Sequence, residues 1–321
     1  MPKVTVVMAN YNAEQFIAES IKRVINQTFD DWELIVVDDC STDDSIRVVE
    51  AFDDARVKLL KNDFNMGPHL SRNRAFEIAE GDYIAILDSD DIMLKNKLRK
   101  QVKYLETHRD CDILHTAVYY FGEKRGLSFV RVGDKSIKRT LFIGCPICNS
   151  TVMWRRSLNL KYDEEFSRAE DYNMWLKNMD KKFHGMNTPL IKRRIHKEQI
   201  SFGYGLTQQL SDKVNGDTIR KYFPELSQDD ISLFERGRVG VLDNDELLKL
   251  DNLLYTMVQN AKNDFLMYIG INKAFSHMLI KCMQRSVGNI NVVPRGTIYG
   301  KRYGFCLLDR ILYRFAKFRA R

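Results

Sequence analysis

The apolar run Tyr83-Ile84-Ala85-Ile86-Leu87, closed by Asp88-Ser89-Asp90-Asp91, constrains this chain more than any other stretch. The run reads as a buried strand. Three carboxylates at the end of an apolar strand are costly unless something positive meets them. Strand side chains alternate faces, so Asp88 and Asp90 are expected to point the same way if the extended backbone persists. Two oxygen ligands on one side suit a hard divalent cation that also holds substrate phosphates. The stretch therefore points to an enzyme acting on a phosphorylated, nucleotide-activated substrate. The competing reading is an acidic turn that caps the next helix.

The surrounding pattern supplies a sheet for that strand. Lys3–Met8, Trp32–Val37 and Val57–Leu60 are short β-rich runs, and helical spacing separates them. Over Ala13–Gln27 the apolar residues are Phe16, Ile17, Ile21, Val24 and Ile25, which share one helical face. Ser41-Thr42-Asp43-Asp44 is rich in helix N-cap residues and precedes a helix through Phe52. Asn65-Met66-Gly67-Pro68 is a turn leading into a helix over His69–Ala79. Alternating β and α units of this length predict a parallel sheet flanked by helices. Such sheets bind ligands beyond the carboxyl ends of their strands. By that rule Ala9-Asn10-Tyr11, Asp38-Asp39 and Asp88-Ser89-Asp90 open on one crevice.

Beyond Asp91 the pattern loosens. Leu94–His108 reads as a helix, and Asp112–Phe121, Leu127–Val132 and Thr151–Arg155 read as strands. Ala169-Glu170-Asp171 opens a helix over Tyr172–Met179, with acids in its first turn as the helix dipole favours. Ile191–Ile195 is a basic strand ending at His196. From about Thr207 the chain turns mainly helical, notably over Asp243–Met257 and Lys273–Arg285. The expected division is a catalytic domain over 1–205, with halves of about 1–91 and 92–205, and a helical region over 206–321.

Composition narrows the class. Apolar residues make up 44%, enough for a core and too many for disorder. Of the six cysteines only Cys145-Pro146-Ile147-Cys148 has a redox-like or zinc-like spacing, and no second pair accompanies it. Reduced thiols in a cytoplasmic protein are the expectation. The apolar run Val4–Ala9 is too short for a signal-peptide core, and no stretch approaches the length of a membrane span. The formal charge is +7, yet residues 295–321 alone carry eight Lys/Arg against one Asp. The rest is balanced, which argues against nucleic acid as a partner.

Read together, these stations resemble the family 2 glycosyltransferases of the GT-A fold. The matching residues are Ala9-Asn10-Tyr11-Asn12, Val37-Asp38-Asp39-Cys40-Ser41-Thr42-Asp43, Asn65-Met66-Gly67, Ser71-Arg72-Asn73 and Gly81-Asp82-Tyr83. Leu87-Asp88-Ser89-Asp90-Asp91, Ala169-Glu170-Asp171-Tyr172-Asn173-Met174-Trp175 and Arg193-Arg194-Ile195-His196 complete the set. They keep order and spacing over residues 3–203, whereas the C-terminal third carries no motif of the family. The resemblance implies an inverting, metal-dependent transfer from a nucleotide sugar, most naturally a UDP-sugar, to a glycan or lipid-linked saccharide. Tyr11 would lie against the base with Ala9 leaving room beside it, and Asp39 would accept hydrogen bonds from the base or its surroundings. Asp38 is its neighbour and the alternative cap for the following helix. Arg72 would approach the diphosphate or the base, Asp88 the ribose with Ser89 beside it, and Asp90 would hold Mn2+ or Mg2+, with His196 reaching the metal or the diphosphate. Asp171 would be the general base, paired with Glu170. One of Arg193 and Arg194, but by strand alternation only one, would face the crevice. Asn149, Ser150 and Trp154 fall where the sugar and acceptor pocket is built, and Trp154 reads equally as core.

Two other classes compete. A nucleotidyltransferase also sets carboxylates and a divalent ion beside a phosphate, but has no need of Glu170-Asp171, and no glycine-rich phosphate loop follows the first strand. A non-catalytic relative would not need Asp88, Asp90 and Asp171 together. In the tail, Leu308, Ile311, Leu312, Phe315 and Phe318 share one helical arc, while Arg310, Arg314, Lys317 and Arg321 fall opposite. That composition suits an interfacial helix on anionic lipid, placing the enzyme on the cytoplasmic face of a membrane. Packing on the protein's own body, or a homodimer contact, is the competing reading.

Overall fold

The computed structural model describes residues 1–197, 199, 204–239, 242–260, 275, 278, 279 and 282. Among the described residues, 1–137 with those of 145–210 form one compact unit, and 138–144 with those from 211 onward form another. The basic tail over 295–321 and most of the helix expected over Lys273–Arg285 lie outside the described residues.

The first unit opens with strands β1 (Val4–Asn10), β2 (Trp32–Asp38), β3 (Val57–Lys61) and β4 (Tyr83–Ile86). Helices α1 (Ile17–Ile25), α2 (Ser45–Glu50) and α3 (Pro68–Ile78) connect them. These four strands are parallel neighbours in the order β3-β2-β1-β4. β2 is buried along its whole length, and Leu34, Ile35, Val36 and Val37 are fully shielded from water. Each such side chain contributes roughly 1.5–3 kcal/mol of transfer free energy, which is why a strand with two covered faces reads as an unbroken apolar run.

The sheet continues as a mixed one. β5 (Ile92–Met93), helix α4 (Lys97–Thr107), β6 (Ile113–Gly122), β7 (Gly126–Ser128), helix α5 (Asp134–Leu141) and β8 (Met153–Arg155) follow. Helix α6 (Glu170–Lys177) and β9 (Phe183–Ile195) close the unit. The order runs on from β4 as β8-β6-β9-β5, with β7 on β6. β8 lies antiparallel to both β4 and β6, β9 runs parallel to β6, and β5 is antiparallel to β9. The sheet is thus parallel in its first half and mixed in its second, with helices alongside.

Three elements differ from the sequence expectation. The strand expected over Leu127–Val132 leaves β6 at Ser128, because the next residues are drawn to β9: the Val130 amide donates to Asn187 Oδ1, and the Gly185 amide donates to the Val132 carbonyl. β9 is thirteen residues long rather than five, because a register shift beside Pro189 carries the pairing through a break in the apolar pattern. Helix α5 was not foreseen, its polar sequence Asp134-Lys135-Ser136 hiding the buried Ile137 and Leu141.

The second unit is helical where described, with α7 (Tyr204–Tyr222), α8 (Gln228–Val239) and α9 (Asn244–Asn260). Its core centres on the ring of Phe275, which meets Phe142, Phe223 and Phe234 at centroid distances of 5.7–6.3 Å.

Candidate active site

The carboxyl ends of β1, β2 and β4 converge as the parallel rule requires. At the end of β1 the Asn10 amide donates to Asp38 Oδ1 at 2.7 Å, and the Asn10 carbonyl accepts from the Asp39 amide at 2.8 Å. Asp38 also takes the Ser41 amide and hydroxyl, so it fastens the turn after β2. Tyr11 follows with half its surface exposed, free to meet a planar ligand.

Asp39 is buried, and its carboxylate is occupied by the protein. Oδ1 accepts from the Asn62 side chain and the Met66 amide, and Oδ2 from the Gly67 amide, at 2.8–2.9 Å. Asp39 therefore holds the 62–67 loop in place, and only its residual lone-pair capacity remains for a ligand. Gly67 has φ of +88°, and a Cβ there would meet the His69 ring at 2.8 Å. Glycine is required for that amide to face Asp39.

The acidic stretch after β4 departs from expectation in one respect. The extended backbone ends at Ile86, and residues 88–91 form a turn closed by the Asp91 amide donating to the Asp88 carbonyl at 3.1 Å. Alternation no longer applies, so Asp88 and Asp90 engage different partners. Asp88 Oδ1 accepts from Arg72 Nη2 at 2.8 Å. Asp90 Oδ2 meets His196 Nε2 at 3.0 Å and accepts from the Gln199 side chain at 3.1 Å. Ser89 enters through its carbonyl, which accepts the Ser20 hydroxyl at 2.8 Å, as does the Asp91 carbonyl.

The pairing of β5 with β9 delivers His196. Ile92 lies opposite Lys192, and continuing that register sets Asp91 beside Arg193 and Asp90 beside Arg194. The Arg194 amide donates to Asp91 Oδ1, and its guanidinium donates to the Asp90 carbonyl and to Glu19. That guanidinium stands over the rings of Phe16 and Phe121 at 4.8 and 4.5 Å. Arg194 is thus a brace, and alternation leaves Arg193 in the field of Asp91 and Asp88. Asp91 is buried, and burial pushes its carboxyl well above the usual range, the charges of Asp90 and Asp88 adding to the effect.

Arg72 joins this turn to the second acid pair. Its Nη1 donates to Glu170 Oε1 at 3.1 Å while Nη2 holds Asp88. Arg72, expected to approach the diphosphate or the base, holds a carboxylate with each terminal nitrogen here, counter-charge that a buried guanidinium needs. Beside Glu170, Asp171 accepts one hydrogen bond among the described residues, from the Tyr172 amide at 2.7 Å. Burial pushes the Asp171 pKa up to about 7, with the Glu170 charge adding and the Arg72 charge opposing. The pair follows Ala169, which has φ of +59°. Asn12 and Cys40, next to Tyr11 and Asp39, share this left-handed backbone. Non-glycine residues pay for that conformation, and such strain gathers where a neighbour must be aimed.

The residues expected to line a sugar or acceptor pocket divide. Trp154 is core: its ring packs edge-on against Phe76 and Trp175 at 5.6 and 6.1 Å, and it is 1% exposed. Ser150 is fully buried and its hydroxyl accepts the Asp88 amide, supporting the turn rather than facing a ligand. Asn149 Oδ1 accepts from the Tyr162 hydroxyl, leaving its buried Nδ2 without a partner among the described residues. Ala9 is half-buried beside Tyr11. Sequence reasoning missed Glu19, Ser20, Asn62 and Gln199. Each is an ordinary polar residue whose partner lies 23 to 175 positions away in sequence.

The architecture is an α/β fold with carboxylates gathered at the carboxyl ends of its parallel strands. In comparison with solved structures the chain is similar to S. aureus TarS 1–349 in complex with UDP-GlcNAc, with a TM-score of 0.61 at 19% identity, covering 98% of this chain and 90% of that one. It is also similar to the mannosyltransferase PcManGT from Pyrobaculum calidifontis in complex with GDP-Man and Mn2+, with a TM-score of 0.51 at 15% identity, covering 88% and 87%. The sequence model of glycosyl transferase family 2 matches residues 5–162. An uncharacterized glycosyltransferase of Methanocaldococcus jannaschii is 37% identical over 206 residues, 60% of this chain and 71% of the relative. The Escherichia coli UDP-Glc:alpha-D-GlcNAc-diphosphoundecaprenol beta-1,3-glucosyltransferase WfgD is 33% identical over 201 residues, 62% of this chain and 79% of the relative. The chain belongs to glycosyl transferase family 2 and has the GT-A fold.

Proposed function

We propose that this glycosyltransferase moves a sugar, with inversion, from a UDP-sugar to a hydroxyl of a lipid-linked saccharide, with a divalent cation at Asp90 and His196. The observation that carries the reading is Arg72, which ties the donor-side turn to the Glu170-Asp171 pair through two carboxylates at 2.8 and 3.1 Å. Support for donor and acceptor comes from the Escherichia coli relative, whose name specifies UDP-Glc and a diphosphoundecaprenol-linked sugar.

Asp171 is the base. With a pKa near 7 it is ionised for much of its time at neutral pH and still basic enough to take a proton. It accepts the proton of the acceptor hydroxyl as that oxygen bonds to the anomeric carbon. The anomeric bond to the diphosphate oxygen breaks on the opposite side, and the nucleoside diphosphate leaves with the electron pair. Tyr11 stacks on the base and Arg193 faces the leaving diphosphate.

The donor set fits a divalent cation. Asp90 Oδ2 and His196 Nε2 converge to 3.0 Å. No third His, Cys, Asp or Glu side chain joins them among the described residues. One or two carboxylates, completed by substrate phosphates and water, hold a magnesium-type ion; Asp90 supplies one, and a neutral His196 imidazole can supply a nitrogen ligand. When bound, the cation stabilises the charge of the departing diphosphate.

The cytoplasmic face of a membrane, reached through the basic tail, is the proposed location. Among the described residues no helix is long and apolar enough to cross a membrane. The test is a thermal-shift screen of nucleotide sugars with Mn2+, followed by product analysis. Stabilisation by one UDP-sugar and release of UDP with acceptor supports the reading. Release of pyrophosphate from a nucleoside triphosphate and a sugar phosphate would replace it with nucleotidyl transfer.

A further inference from the structure

Exposed large apolar side chains are unevenly placed in the first unit. Tyr119, Leu127, Phe129 and Val132 fall within one short stretch, exposed by 41, 40, 68 and 41%. Tyr119 and Leu127 are cross-strand partners on β6 and β7, so their side chains stand on the same face of the hairpin. Phe129 follows two residues after Leu127, just past the end of β7, and is the most exposed of the four. Residues 130–132 cannot turn inward to bury these groups, since their backbone is fastened to Asn187 and Gly185 of β9. An exposed apolar patch held open on a rigid backbone marks a contact surface.

The charges around the patch have one sign in excess. Lys124, Arg125 and Arg131 are exposed, and none has an acidic partner among the described residues. The acids of the stretch are Glu123 and Asp134, and Asp134 is engaged by the Phe183 amide. Unpaired cations beside Phe, Leu, Tyr and Val match an anionic lipid surface, where the apolar tips enter the acyl boundary and the cations stay among the headgroups.

The patch is also continuous with the active site. Tyr119 and Phe121 lie on the same face of β6, and Phe121 stacks on Arg194, which donates to the Asp90 carbonyl. The loop at the hairpin's end is bound directly to the end of β9, where the Glu123 amide donates to the Ile195 carbonyl, one residue before His196. We propose that the β6–β7 hairpin is a membrane-inserting surface selective for anionic lipid, distinct from the basic tail, that holds the first unit on the bilayer. Its use in presenting a lipid-linked acceptor rests on the glycosyltransferase reading; the surface itself does not.

The test uses the full chain carrying Phe129→Trp. The native tryptophans Trp32, Trp154 and Trp175 are all buried, so a lipid-dependent change in emission reports the hairpin. Vesicles of phosphatidylcholine with phosphatidylglycerol are expected to shift the emission to the blue, and brominated acyl chains to quench it. Pure phosphatidylcholine vesicles are expected to do neither. Reversal of the three charges, Lys124→Glu with Arg125→Glu and Arg131→Glu, is expected to lower partitioning roughly a hundredfold or more, with turnover on a water-soluble acceptor unchanged. Unshifted emission in a chain that still co-sediments with the vesicles would overturn the proposal and leave the tail as the sole contact. Equal insertion into neutral and anionic vesicles, or unchanged partitioning after charge reversal, would overturn it too. Insertion with sugar transfer to a water-soluble acceptor but none to a lipid-linked one would keep the surface and reject the lipid-linked acceptor of the proposed function.

Discussion

The two acid clusters of the first unit are built from the same residue types and are differently partnered. In the turn after β4, Asp88 faces Arg72 and Asp90 faces His196, each at 3.0 Å or less. Among the described residues Asp171 receives a single amide, and burial, with the Glu170 charge adding, lifts its pKa to about 7. Desolvation beside a like charge raises a carboxyl's pKa, whereas an opposite charge or hydrogen bonds to its charged form hold it down. Partnering, rather than residue type, separates the proposed binding turn from the proposed base, and among the described residues Arg72 touches both clusters.

The sharpest way to break this contrast is Asp171→Asn. Turnover is expected to fall by about a thousandfold or more, with UDP-sugar affinity by calorimetry largely retained. Near-normal turnover would remove Asp171 from the role of base. The same variant is expected to raise the melting temperature above pH 7. A folded-state pKa raised above the unfolded value means that stability present at low pH is lost as pH rises from about 4 toward 7, and the amide has no charge to bury. Asp90→Ala, next in size, is expected to lower turnover by on the order of a hundredfold and to abolish the metal dependence of UDP binding. Metal-dependent affinity equal to the parent chain's would show that the cation sits elsewhere.

Arg72→Met tests the coupling itself. Leaving Asp88 and Glu170 without their buried partner is expected to cost about 3 kcal/mol of stability, measured by denaturant unfolding. Arg72 also opposes the rise in the Asp171 pKa, so the acid limb of the kcat/KM profile should move to higher pH. In the parent chain that limb should fall near pH 7, with activity lost as pH drops. An unmoved limb in Arg72→Met would mean that the two clusters act independently. The smallest effect is expected for Gln199→Ala, which removes one neutral hydrogen bond to Asp90 and should weaken metal-dependent binding only several-fold.

Much of the parallel half of the sheet was legible in the sequence. The parallel order β3-β2-β1-β4 follows from apolar strands alternating with helices, and so does the meeting of Asn10, Asp38 and Asp88 at one edge. The Glu170-Asp171 helix start also fell where its motif put it. The second half was less legible because its strands mix directions and β9 contains a register shift, which breaks the alternation that pattern reading depends on. Trp154 shows the same limit: an aromatic residue on a short strand can line a pocket or fill the core, and only the rings of Phe76 and Trp175 on either side decide it.

By itself the sequence determined the class of sheet, the order of the strand-end stations and the supply of carboxylates, because periodicity and composition are local properties of a chain. The tertiary structure decided which partners each carboxylate meets. A turn at 88–91 parts Asp88 from Asp90, the β5–β9 pairing brings His196 across 106 positions to Asp90, and Arg72 reaches 98 positions to Glu170. An ionisable group takes its role from the charges and donors within a few ångströms, and those neighbours are chosen by how the sheet closes.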